Sequence, residues 1–193
     1  MIIMEDIRVD FNALFRLLLT FNATSLLVIV YLVQHEITLG GLIEDAKLTW
    51  LKAALDGSSY ALYLAAPILL TGLSLRLSRF LGRDSFQPGD VVSIEHANNS
   101  FLPSYLGYFF VALSINSWQT LIFVYAILFV FTYRSQALYF NPLFLLYGYE
   151  FYNISTSSRV TLFLISRENF RAPKDVVIDK VFRINDYTLI DRG

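Results

Sequence analysis

The apolar stretch Leu102–Tyr133, LPSYLGYFFVALSINSWQTLIFVYAILFVFTY, carries no charged residue and is broken only by the polar cluster Asn116, Ser117, Gln119 and Thr120. A helix rises roughly 1.5 Å per residue and needs about 20 apolar residues to cross a hydrocarbon core of about 30 Å. The run is too long for one upright helix and short for two, so it reads as a tight hairpin of helices over 102–117 and 119–135. The polar cluster then forms its turn, a simpler account than a pore constriction. Two earlier apolar runs predict helices over 13–33 and 59–79. In the first, Asn22, Thr24 and Ser25 are expected to face other helices and hydrogen-bond there. In the second, Pro67 is a kink of the kind that helix neighbours make tolerable.

Between them, Leu42, Ile43, Ala46, Trp50, Leu51, Ala54 and Leu55 recur at helical spacing among charged residues. This predicts an amphipathic helix with Trp50 at headgroup depth. The segment Gly82–Ser100 reads as a loop turned by Pro88-Gly89 and holding VVSIEH, a short strand or irregular linker. Residues 137–149 form a short apolar stretch with Asn141-Pro142 and Gly148, which suits an interfacial segment better than a fifth crossing. From Glu150 onward, EFYNIS, RVTLFLISR, VVIDKVFRI and DYTLID are short strand-like runs separated by turns at Ser155–Ser158 and Ala172-Pro173. The expected architecture is an all-α membrane protein. It has a four-helix transmembrane domain over residues 1–149 and a small β-rich cytoplasmic module over 150–193.

Composition points the same way. The mean hydropathy is +0.52, and 16% of the residues are charged, against about 25% in ordinary soluble domains. Cysteine is absent, so there is no disulfide framework and no thiolate chemistry.

The side on which each loop lies follows from where Lys and Arg fall. Four crossings put Arg8, Arg16, Arg76, Arg79, Arg83, Arg134, Arg159, Arg167, Arg171, Lys174, Lys180, Arg183 and Arg192 on one side, with Lys47 and Lys52 on the other. Three crossings would place most of the positive charge outside. The expectation is a multi-pass protein of the bacterial inner membrane with both termini cytoplasmic. Trp50, Arg76, Arg79, Arg83 and Arg134 would mark the membrane interfaces. The three arginines after the second helix serve either as topology determinants or as an anionic-lipid site.

Candidate chemistry is sparse. The predicted helices hold no ionisable residue away from their ends, whereas membrane enzymes and ion-coupled transporters place such groups inside. The only histidines, His35 and His96, lie in predicted loops, and no nucleophile, metal or phosphate-loop motif occurs. No catalytic, cofactor-binding or metal-ligating residue is expected, nor any direct contact with nucleic acid. In Val160–Ile165, four apolar residues run together, so both faces of that strand are apolar, and a module of about 40 residues covers at most one of them. Leu162 and Phe163, rimmed by Arg167, Arg171, Lys174 and Arg183, are therefore the expected partner-binding surface.

The layout of four helices, a second loop, and then NPLFLLYGYEFY at 141–152 running into RVTLFLISRENF at 159–170 resembles the KwaA family, the membrane subunits of the two-component Kiwa anti-phage system. The resemblance covers most of the chain in layout and Asn141–Phe170 in residue pattern. It implies a homo-oligomer, a tetramer, that senses phage attack at the envelope and recruits a soluble DNA-binding partner resembling KwaB. It supplies no catalytic residues. The expected function is a non-enzymatic sensor and scaffold. An oligomeric pore or channel is the alternative, and a small lipid-modifying enzyme is a third.

Overall fold

The structure is a computed structural model and describes residues 2–42, 49–98, 102–135 and 141–193. Helix α1 spans Ile2–Gln34, α2 Thr49–Leu77, α3 Leu102–Leu113, α4 Trp118–Arg134, and the single turn α5 Leu143–Leu146. Six strands follow the order of the chain: β1 Gly82–Phe86, β2 Val91–His96, β3 Glu150–Thr156, β4 Thr161–Ser166, β5 Ile178–Arg183 and β6 Thr188–Asp191. They form one mixed sheet in the order β1-β5-β6-β4-β3-β2.

Helix α1 is the hub, packing against α2, α3 and α4. Phe15, Leu19, Ala23, Leu27 and Tyr31 are all buried, and their four-residue spacing is one face of a helix. Contacts at the two ends set the directions. At one end, Thr38 bonds Asp56, and Gln34 Nε2 donates to the Leu113 carbonyl at 3.0 Å. At the other, the Phe11 and Phe80 rings meet edge-on at 6.0 Å, and Arg16 donates to the Tyr133 carbonyl at 3.3 Å. The helices therefore alternate in direction, and the sheet sits at the end where α1 and α3 begin and α2 and α4 finish.

The expected all-α four-helix membrane bundle is not the fold. Among the described residues, two helical stretches, Phe11–Gln34 and Thr49–Phe80, are long and apolar enough to cross a membrane. Helices α3 and α4, with 12 and 17 residues, rise only about 18 and 26 Å. They part at Ser114–Ser117, where the Ser117 hydroxyl accepts the Thr120 N–H at 3.2 Å and caps α4.

The β structure is also larger than a C-terminal module. VVSIEH is strand β2, and GRDSF before it is β1, so the segment expected to be a loop supplies both edges of the sheet. Four strands from residues 150–191 leave both outer members open. The intervening segment closes them because its ends emerge beside the sheet, something local sequence does not reveal.

The central strand β4 pairs antiparallel with β3 and parallel with β6. Phe163 and Ile165 point toward the helices and pack with Phe151, Phe182 and Ile190 against Phe15, Leu75, Tyr105 and Phe144. On the opposite face, Leu164 packs with Tyr152, Ile154, Phe170, Val176, Ile178 and Leu189. The contiguous apolar run in β4 thus belongs to a strand buried on both faces. The chain covers both faces itself, with helices on one and the 167–178 connection on the other. The expectation that one face of β4 stays open for a partner does not hold, and the reason is that the 167–178 connection folds back over the sheet.

Candidate functional site

The sheet is fastened to the helices through the connection after Asn141. Asn22 on α1, Thr71 on α2 and Asn141 are all fully buried. With the Asn22 amide oriented so that both its atoms find partners, its oxygen accepts from Asn141 Nδ2 at 2.8 Å, from the Thr71 hydroxyl at 2.6 Å and from the Thr71 N–H at 3.2 Å. Its nitrogen donates to the Pro67 carbonyl at 3.2 Å. Asn141 Oδ1 accepts the Leu143 N–H at 3.0 Å and so starts α5 as well. Thr24 reaches the Tyr125 hydroxyl at 3.2 Å, and Ser25 donates to the Asn22 carbonyl at 2.7 Å. Asn22, Thr24 and Ser25 therefore find their partners within the chain.

One turn further along, Tyr147 donates its hydroxyl to the Ile68 carbonyl at 2.8 Å. It lies across Gly72, where an added Cβ would come within 2.6 Å of the Tyr147 oxygen. Gly72 is required by this close approach, and Gly148, at φ 74°, by the left-handed turn that follows. Gly72→Ala is expected to push the Tyr147 hydroxyl off Ile68 and cost about 1 kcal/mol, the usual net worth of a hydrogen bond. Thermal unfolding in mild detergent measures it, and Tyr147→Phe in the same background should add little.

Beside this anchor, Leu69, Gly72 and Arg76 on one face of α2, with Tyr147, Tyr149, Arg167 and Arg192, line a cavity of about 300 Å³. The Arg167 guanidinium lies 4.8 Å over the Tyr149 ring. Burial pushes the Tyr149 hydroxyl up from its ordinary pKa more than the neighbouring Arg167 and Arg192 pull it down, so it stays a hydrogen-bond donor at neutral pH. Among the described residues none of the three arginines forms an ion pair. The nearby Asp191 carboxylate is engaged by the Ser166 hydroxyl at 2.6 Å and the Gly193 N–H at 3.0 Å.

The residues singled out from the sequence do not form one patch. Phe163 is buried and Leu162 half-buried. Arg171 and Lys174 are exposed on the connection over the far face of the sheet, where Asp175 accepts the Arg171 and Ala172 N–H groups. Arg183 pairs with Asp84 across β5 and β1. Arg76, Arg79 and Arg83 diverge. Arg76 joins Arg167 and Arg192, while Arg79, whose guanidinium lies 4.7 Å over the Phe80 ring, lines a separate cleft with Arg83. Trp50 is exposed at the start of α2, and Arg134 is exposed at the end of α4. Leu51, Ala54 and Leu55 of the expected amphipathic helix belong to α2 itself and not to a separate helix, while its residues 43–48 and residues 137–140 of the expected interfacial segment lie outside the described residues. Asn141, Tyr147, Tyr149 and Arg192 were not singled out as site residues. The only local signal was Asn141-Pro142 within an apolar stretch, which marks a buried amide without naming its partners.

The Asp84–Arg183 pair carries a pH dependence. The Arg183 hydrogen bond holds the Asp84 carboxyl below its ordinary pKa. The stability this contributes is therefore present above the unfolded carboxylate range and lost as pH falls through the folded pKa. Both side chains are well over a third exposed, so solvent screening leaves about 0.5 kcal/mol. Arg183→Met is expected to lose that much at pH 7 and to converge on the parent as pH falls through the folded Asp84 pKa in acid-unfolding curves.

A family profile described as anti-phage protein KwaA matches residues 15–190. The chain belongs to the KwaA family of anti-phage proteins. No curated protein and no solved structure matches it. The KwaA match runs from α1 through β6, so the helices and the sheet with its two edge strands lie within one family unit. Arg76 and Arg167 fall inside that unit, and Arg192 lies just beyond it.

Proposed function

We propose that this KwaA-family protein is the membrane-embedded, non-enzymatic sensor and scaffold of an anti-phage complex, holding a soluble DNA-binding effector of the KwaB kind at its sheet. The observation that carries this reading is the single-ended architecture. Two helices of membrane-crossing length, one at its start and the other at its finish, meet a six-stranded sheet at the same end. Arg16, Arg76, Arg79, Arg83 and Arg134 gather at that same end, which the positive-inside rule assigns to the cytoplasm. Outward-facing Leu69, Phe110, Ile122, Phe123 and Phe131 are each at least 65% exposed, which suits lipid contact more than water. The homo-oligomer, a tetramer by the resemblance, belongs to the same reading. Its support is the family resemblance rather than unpaired polar groups in α1.

The effector surface is assigned to the far side of the sheet, around Arg171 and Lys174, because the near side is occupied by helices. Truncation after Ser158 removes β4, β5 and β6 and with them the centre of the sheet, so point substitutions are the informative variants. The test is co-purification of the tagged full-length chain with the soluble protein co-expressed from the neighbouring gene, paired with phage plaque counts. Arg171→Glu with Lys174→Glu should abolish both co-purification and protection while leaving insertion intact. Undiminished co-purification by that variant would remove the assignment of this surface.

A further inference from the structure

We infer that the cavity formed by Arg76, Arg167 and Arg192 is a binding site for the phosphate of an anionic phospholipid headgroup. Three guanidinium groups arrive from three separate elements: the last turn of α2, the residue after β4 and the residue after β6. Like charges repel, and an anion seated between them would be attracted by all three. Guanidinium forks match phosphate oxygens in pairs. The Tyr149 ring under Arg167 orients one fork.

The second observation is the gradient along the α2 wall. Leu69, Gly72 and Arg76 lie on one face, and seven residues span about 10 Å. The wall is apolar and 70% exposed at Leu69 and cationic at Arg76, where α2 leaves its apolar stretch. A phospholipid has the same order, with acyl chains beside Leu69 and the headgroup against the arginines. Basic pockets at the cytoplasmic ends of membrane helices suit such headgroups. A small soluble phosphate compound shares the headgroup chemistry but gains nothing from Leu69. Arg79 and Arg83, which line a different cleft, serve as an internal control.

The inference rests on the reading that α1 and α2 lie in a bilayer and not on effector recruitment. Flotation of the full-length protein with phosphatidylcholine vesicles tests insertion separately, so failure of the pocket and failure of the membrane reading are distinguishable. The pocket itself is tested by titrating phosphatidylglycerol against phosphatidylcholine into the full-length protein in neutral detergent and counting bound lipids by native mass spectrometry. The expected result is at least a tenfold preference for phosphatidylglycerol. Arg167→Gln with Arg192→Gln should abolish that preference, and Arg79→Gln should leave it unchanged within twofold. Both pocket substitutions lie outside the helices, and folding of the variant is checked by its unfolding temperature. Should the double variant fail to fold, Arg192→Gln alone carries the test, with a severalfold loss expected. Glycerol 3-phosphate is the competing arm. If it binds as tightly as intact phosphatidylglycerol, the site takes a soluble phosphate and the lipid assignment is overturned. A preference that survives the double variant, or no preference in the parent, overturns the pocket altogether.

Discussion

Phe151→Ala is expected to destabilise the protein by about 3–5 kcal/mol, the range for removing a fully buried phenylalanine. Phe151 is fully buried, stacks on Phe163 with ring centroids 5.7 Å apart and meets Phe144 edge-on at 6.2 Å. It therefore joins β3, β4 and α5 at the layer where sheet meets helices. The cavity left behind is walled by two rigid elements, which leaves little scope for collapse. Thermal unfolding in mild detergent should show a large drop in Tm, and limited proteolysis should cut within residues 150–191 before it cuts the helices. Phe151→Leu, which retains most of the volume, should recover much of the loss. A Tm for Phe151→Ala within a degree or two of the parent would mean that sheet and helices are not packed together.

The second large effect is expected at Asn141. Asn141→Ala removes two links at once: Nδ2 to the Asn22–Thr71 pair, and Oδ1 to the Leu143 N–H that begins α5. Leaving buried polar groups unpaired costs about 1–3 kcal/mol, although interhelical hydrogen bonds measured in membrane proteins average nearer 0.6 kcal/mol. Asn141→Ala should lie in the upper part of that range because α5 loses its start as well. Asn141→Asp keeps the oxygen that serves Leu143 and loses the donor that serves Asn22, so it separates the two roles. If anchoring to the helices matters more, hydrogen exchange at Leu143–Leu146 should rise little in Asn141→Asp while the whole protein loses stability. Equal losses in Asn141→Asp and Asn141→Ala would assign the effect to the helical anchor, and a loss confined to Asn141→Ala would assign it to the start of α5.

The sequence by itself determined the helical runs, because apolar length and the end-placed arginines are local properties. It located the break near Asn116–Thr120, since the run is too long for one helix and its polar residues cluster there. It marked the strands after Glu150 from their β-branched and aromatic alternation. It also carried the KwaA resemblance in the residues from Asn141 to Phe170. It did not determine that Gly82–His96 belongs to the same sheet. The pairings Gly82↔Arg183 and His96↔Tyr152 join segments far apart along the chain, and a five- or six-residue polar strand at an edge has no periodic signal to set it apart from a loop. The all-α four-helix expectation failed for that reason, and because α3 and α4 are too short to cross. The contiguous apolar residues of β4 were legible as a strand apolar on both faces, but which elements covered those faces depended on where 167–178 folds back. Only the tertiary structure decided that Arg76 lines one cavity with Arg167 and Arg192 while Arg79 and Arg83 line another. Arg76, Arg79 and Arg83 look alike in sequence, but Arg76 lies in the last turn of α2, Arg79 sits in the short 3-10 turn Ser78–Phe80 and Arg83 lies in β1, so the chain changes direction between them.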